Sequence, residues 1–177
     1  MPSLYATTVA SPIGTLHVAA TDVGLCLIAF DDGGVKADVE SLARRYDVTR
    51  RDGTNVHLDR ATKELAAYFS GTLRDFSVSL DVRGTDFQQA VWHGLKGIRY
   101  GQTISYGELA RRIGRPGASR AVGAANGANR MAVVLPCHRV VNAVGALHGY
   151  GGGLWRKGFL LQHEQAIVGR TAHIRTA

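Results

Sequence analysis

Cysteine is nearly missing from this chain: its 177 residues hold only Cys26 and Cys137. Two thiols cannot build a disulfide framework, and they fit a reduced, cytoplasmic location. Long apolar runs are missing as well. The longest, such as Leu25–Phe30 and Ala132–Leu135, are far too short to cross a bilayer, so no membrane partner is expected. The N-terminus lacks the basic segment, apolar stretch and small-residue cleavage site of a secretory signal. No internal repeat or low-complexity tract interrupts the chain. Acidic residues are scarce in one half only. From Met1 to Gly84, nine Lys/Arg stand against eleven Asp/Glu, a balance of −2. From Thr85 to Ala177, twelve stand against three, a balance of +9. A basic second half suits nucleic acid, where phosphate neutralisation releases counterions. A basic surface kept for solubility is the plainer alternative.

What is present divides near Arg83–Gly84, where the charge balance changes. In the first half, Leu4–Ala10 and Thr15–Ala20 are β-rich and flank the turn-like Ser11-Pro12-Ile13-Gly14, which predicts a hairpin. Leu25–Phe30 reads as a buried strand ended by Asp31-Asp32-Gly33-Gly34. Val35, Val39, Leu42 and Tyr46 follow helical spacing, as do Ala61, Leu65, Tyr68 and Phe69, with Gly71 as a C-terminal cap. Phe76–Val82 alternates like a strand. In the second half, Thr85 and Gln88 have capping-box spacing ahead of an apolar stripe of Phe87, Val91, Leu95 and Ile98. Ser105 and Glu108 repeat the box, and Tyr106, Leu109 and Ile113 share a helical face. Gly114-Arg115-Pro116-Gly117 breaks that helix before a second one from Ala118 to about Asn126. Two short helices joined by a tight turn resemble a helix-turn-helix, although ordinary helical domains contain the same pattern.

That second helix holds almost only small side chains, with Arg120 as its one long cation. Small residues let a backbone approach another surface closely, either a neighbouring helix or a DNA minor groove. Gly123 and Gly127 cost helix stability, so a closeness requirement is expected to compensate.

The chemistry centres on Pro136-Cys137-His138-Arg139-Val140. The apolar run Ala132–Leu135 is expected to be a strand that delivers Cys137 to a turn. A thiol attacks as its thiolate, and an unperturbed Cys, with a pKa of about 8.5, needs help near neutral pH. His138 can supply it as a base, oriented by a carboxylate. Neighbouring side chains on an extended strand point to opposite faces, so a bridging water or a turn would be required. The alternative is an inert buried thiol beside a surface His. Cys26, inside an apolar run, reads as core. Asn129 can pin the turn with its amide, and Gly149-Tyr150-Gly151-Gly152-Gly153 forms a loop whose backbone can approach a ligand. Arg156 and Lys157 open a C-terminal helix reaching His163-Glu164. Glu164 is either the buried partner of a His or a solvated helix charge.

From Thr85-Asp86-Phe87-Gln88 to Glu164 the chain resembles the O6-alkylguanine-DNA alkyltransferase family, also called methylated-DNA–protein-cysteine methyltransferases. The resemblance rests on Pro136–Val140, Gly149–Gly153, Arg156-Lys157 and Leu160–Glu164, with Ser105–Glu108 and Arg120–Gly123 in order before them. Residues 1–83 resemble the family's N-terminal domain in length and pattern. The resemblance implies an α+β protein: a ribonuclease-H-like α/β domain over 1–83, a mostly helical DNA-binding domain over 84–170, and a tail over 171–177. It implies a monomer that binds alkylated double-stranded DNA through the minor groove and flips the damaged base out. Cys137 would accept the alkyl group from O6-alkylguanine, with O4-alkylthymine as a further candidate substrate, in a single irreversible turnover without cofactor or metal. His138 would deprotonate Cys137 through a water, Glu164 would orient His138, and Asn129 would brace the turn. Tyr106 would stand at the base pocket and assist the leaving guanine. Arg120 would fill the gap in the duplex, with Ser119, Ala121 and Gly123 beside it on the DNA. Val140, Tyr150, Gly151 and Gly152 would line the pocket.

Some positions depart from the family. Arg130 follows Asn129 where members often have Pro, which loosens the turn. Gly151 replaces a polar residue of some members, removing a side chain that can hydrogen-bond the base. Cys26 with His17 is not enough for the structural zinc of some relatives. Three other readings compete. An alkyltransferase-like lesion binder would lack the nucleophilic Cys. A Cys-His-Glu thiol hydrolase would need an oxyanion hole. A transcription factor would leave Pro136–Val140 unexplained.

Overall fold

The computed structural model describes residues 1–31 and 39–176, with side chains through 169. The chain separates into two compact units, Met1–Val82 and Arg83–Ala177. The turn residues Asp32, Gly33 and Gly34 and the helical position Val35 lie outside the described residues.

In the first unit, strands β1 (Ser3–Val9), β2 (Leu16–Thr21), β3 (Leu25–Phe30) and β4 (Thr49–Arg50) form one sheet in the order β3-β2-β1-β4. β1 and β2 pair antiparallel from Leu4↔Thr21 to Val9↔Leu16, closing the hairpin expected around Ser11–Gly14. Gly14 takes φ 102°, a left-handed conformation glycine adopts without strain, and its N–H reaches Ser11 O at 3.1 Å. All six residues of β3 are buried, which explains its unbroken apolar run. Helices α1 (Val39–Tyr46) and α2 (Val56–Phe69) turn Leu42 and Tyr46, and Leu58, Ala61, Leu65 and Tyr68, inward. Gly71, at φ 81°, follows the C-cap Ser70.

Phe76–Val82 does not form the expected strand. Among the described residues its one strand pairing is a parallel bridge between Leu25 and Leu80. Upstream, the N–H groups of Ser77 and Val78 donate to the Glu64 carboxylate instead of to a neighbouring strand. Alternation is a local property, but a strand also needs a partner edge, and here a side chain takes its place.

The second unit is mostly helical: α3 (Asp86–Lys96), β5 (Ile104–Ser105), α4 (Tyr106–Arg112), α5 (Ser119–Gly127), a 3₁₀ turn (Cys137–Arg139), β6 (Val140–Val141) and α6 (Leu154–Thr176). Thr85 caps α3 with a full capping box: it accepts from Gln88 N–H, and the Gln88 amide oxygen accepts from Thr85 N–H. Ser105 caps α4 through Glu108 N–H, but the reciprocal arm is missing because Glu108 pairs with Arg111 and Arg112. Gly114 and Gly117, at φ 72° and 84°, make the turn between α4 and α5. Trp92 of α3 donates its indole N–H to Ala125 O at 2.8 Å, tying α5 to α3. α6 begins two residues before Arg156 and continues through the expected tail as far as Thr176.

Ala132–Leu135 is not a strand either. Residues 131–135 coil through buried turns, with Val133 at φ 72° and Leu135 N–H bonded to Met131 O at 2.9 Å. Every side chain of the run is buried, so its apolar character marks a buried turn as readily as a strand.

Candidate active site

Asn129 explains that turn. Its amide oxygen accepts from Met131 N–H at 2.9 Å and its amide nitrogen donates to Leu135 O at 2.9 Å. The side chain thus supplies the bonds a strand partner would have made, and both persist with Arg130 next to it. The chain then passes Pro136 into the 3₁₀ turn, with Cys137 N–H on Leu135 O at 2.7 Å.

Cys137 and His138 are both buried. Nε2 of His138 lies 2.7 Å from Oε1 of Glu164, which is also fully buried. Arg139 reaches the same carboxylate from Nε at 3.0 Å and Nη2 at 3.0 Å, and gives Nη1 to Ile98 O at 2.6 Å. Glu164 also accepts from Gly101 N–H at 3.1 Å. Glu164 is therefore the buried partner, not a solvated charge. Burial alone would raise its carboxyl, but the hydrogen bonds and charges of His138 and Arg139 bring it down to about 2. An ionised carboxylate only accepts, so the proton on His138 sits on Nε2. Nδ1 is left with a lone pair, buried and without a hydrogen-bond partner among the described residues. Burial lowers the pKa of His138 against the pull of Glu164, keeping the ring neutral with its lone pair at Nδ1.

Burial pushes the Cys137 thiol up, opposed by a hydrogen bond from Asn129, the charge of Lys157 and the backbone N–H groups of Cys137 and His138. No hydrogen bond joins the Cys137 thiol to the His138 imidazole directly among the described residues. The 3₁₀ turn replaces the extended strand, so the opposite-face geometry no longer applies.

Lys157, Arg139 and Asn126 carry weight that the sequence did not disclose. Lys157 is buried on α6, and its Nζ donates to the carbonyls of Val140, His148 and Gly149 at 2.6, 2.8 and 3.2 Å. It lies 5.9 Å from the Tyr106 ring centre. Tyr106 opens α4 and donates its hydroxyl to His148 O at 3.0 Å. Burial raises the Tyr106 phenol, the Cys137 thiol adds to this, and a hydrogen bond with Asn126 works against it. Tyr150 is raised well above the ordinary tyrosine value by burial first and by Cys137 second. Gly152 is buried and Gly151 exposed, with Gly152 O accepting from Arg156 at 2.8 Å. Val140 is fully buried in β6, which pairs parallel with β5 through Ile104↔Val140.

The DNA-contact candidates lie together on α5. Arg120 and Ala121 are exposed, and Ser119 and Gly123 are half-buried. The expected closeness requirement has no source among the described residues at Gly127, where an added Cβ would meet nothing within 4 Å. At Gly123 it would meet the Tyr106 ring at an ordinary 3.8 Å.

A neutral histidine held by a carboxylate, a buried thiol beside it and a helix-turn-helix in one unit define a thiol-nucleophile protein that works on DNA. Comparison with known proteins narrows the class. Residues 86–166 match the 6-O-methylguanine DNA methyltransferase DNA binding domain, and residues 4–82 match the ribonuclease-like domain of the same enzymes. The methylated-DNA–protein-cysteine methyltransferase of Mycobacterium tuberculosis is 47% identical over 161 residues, 90% of this chain and 91% of the relative. That of Methanosarcina acetivorans is 44% identical over 155 residues, 87% of this chain and 94% of the relative. The crystal structure of Mycobacterium tuberculosis OGT in complex with DNA superposes with a TM-score of 0.79 at 44% identity, covering 93% of this chain and 94% of that one. The chain belongs to the 6-O-methylguanine DNA methyltransferase family.

Proposed function

We propose that this protein repairs O6-alkylguanine in DNA by moving the alkyl group irreversibly onto Cys137. The observation that carries the reading is the buried His138–Glu164 pair, with Nδ1 of His138 unpartnered beside a buried thiol. Nδ1 takes the thiol proton through a bridging water, and Glu164 stabilises the imidazolium that forms. The sulfur then attacks the alkyl carbon in line. A C–S bond forms, the C–O6 bond breaks, and its electron pair goes to guanine, which takes up a proton as it leaves. The Tyr106 hydroxyl is the candidate donor. The net change is thiol plus alkylguanine to thioether plus guanine. A thioether has no low-energy way back, so each molecule acts once.

The damaged base must leave the duplex to be reached, which costs a few kcal/mol. α5 is the docking element in this reading. Its exposed surface of Ala121, Ala124 and Gly127 can lie close to a groove, and Arg120 fills the vacated stack. Thiol chemistry of this kind belongs in the reducing cytoplasm. The test is peptide mass mapping after exposure to a duplex carrying O6-methylguanine. One methyl on Cys137 and none on Cys26 is expected, with Cys137→Ser still binding DNA but gaining no mass. Mass on Cys26, or transfer by Cys137→Ser, would overturn the assignment.

A further inference from the structure

Asn126 lies in the last turn of α5, and the side chain is buried with 6% of its surface exposed. Its amide nitrogen faces the Cys137 carbonyl at 3.4 Å, which fixes the amide's orientation. The amide oxygen is consequently left buried without a hydrogen-bond partner among the described residues. Such an orphan acceptor is costly to bury, and an apolar side chain of similar size would avoid the cost. A donor that arrives with a ligand would relieve it. Asn126 shares a helix face with Gly123, three residues before it. Tyr106 bounds that face, since its ring is the nearest neighbour of a Cβ placed on Gly123. Tyr106 donates its hydroxyl to His148 O. A base admitted beside Tyr106 therefore comes up against Asn126 and the Cys137 backbone together.

We propose that the Asn126 amide oxygen accepts a hydrogen bond from the exocyclic 2-amino group of the flipped guanine, making Asn126 a specificity-determining residue. O6-alkylation removes the N1 proton, so the 2-amino group is the one donor left on the Watson–Crick edge of the lesion. O4-alkylthymine and O6-alkylhypoxanthine offer no donor there. A site that presents a buried acceptor favours the base that satisfies it and penalises analogues that leave it bare. The inference rests on the alkyl-transfer reading of Cys137 and deepens it.

Single-turnover repair rates of two otherwise identical duplexes, one with O6-methylguanine and one with O6-methylhypoxanthine, test it. The native protein should prefer the 2-amino substrate by about tenfold, the ordinary worth of one hydrogen bond. Asn126→Leu should bring the ratio close to one, chiefly by slowing O6-methylguanine. Asn126→Asp, which keeps an acceptor, should retain the preference even though its charge beside Cys137 slows both substrates. Asn126→Ala supplies the same comparison if the leucine variant does not fold. A preference that survives in Asn126→Leu or Asn126→Ala would overturn the proposal, as would equal slowing of both substrates, the mark of a purely structural role. Failure of the native protein to take methyl from O6-methylguanine would instead refute the alkyl-transfer reading itself.

Discussion

At Cys137, burial and activation oppose each other. Burial holds the thiol above its ordinary range, and Asn129, Lys157 and two backbone N–H groups offset only part of the shift. The resting protein thus carries a protonated thiol at neutral pH, and reaction waits for a base. The transfer rate should climb as pH rises above neutrality, and Lys157→Met, which removes the stabilising charge, should displace that climb to higher pH. A pH–rate profile on an alkylated oligonucleotide checks this, and an unshifted profile would count against an electrostatic role for Lys157. Glu164 and His138 set a second pH dependence. Both pKa values are depressed in the folded protein, so the unfolded chain binds more protons at acid pH and stability rises with pH. Stability should begin to fall below about pH 6.5 as unfolded histidine protonates, and fall further from about pH 4.3 towards the folded Glu164 value. Denaturant melts across pH 7 to 3 measure it, and Glu164→Gln should flatten the lower part. That substitution also strands the buried Arg139 and should cost about 3–5 kcal/mol.

At the scale of elements, the caps and α5 separate folding from function. Thr85→Ala removes one arm of the α3 capping box and should cost about 1 kcal/mol, read as a lower denaturation midpoint with transfer unchanged. Arg120→Ala should leave the midpoint alone, because Arg120 is exposed. It should slow repair in duplex DNA more than in single strands, since only a duplex has a stack to refill. Equal slowing on both would reduce Arg120 to a phosphate contact. The helices were legible because apolar spacing and N-caps are local signals, as at Thr85, Val91 and Leu95. The segments 76–82 and 132–135 were not. Whether an apolar run becomes a strand depends on a free partner edge, and the side chains of Glu64 and Asn129 occupied that role. Cys137, His138 and Glu164 stood out through residue type and order. Asn126, Arg139 and Lys157 did not, because a polar side chain on an amphipathic helix or beside a motif shows its burial only once distant carbonyls converge on it.

For the whole molecule, the division of charge predicts which half meets DNA. With a balance of −2 before Thr85 and +9 after it, binding should reside in Thr85–Glu164 and weaken steeply with salt. A salt-independent affinity, measured by fluorescence anisotropy on a labelled duplex, would contradict a counterion-release origin. Sequence preference around the lesion should be weak, since minor-groove readout is degenerate. The most direct single measurement is the count of guanine formed against protein consumed, with the O6-methylguanine duplex in large excess. One guanine per protein molecule, followed by no further reaction, is the expected result. Continued release beyond one equivalent would mean that Cys137 is regenerated, which self-alkylation through a thioether does not allow.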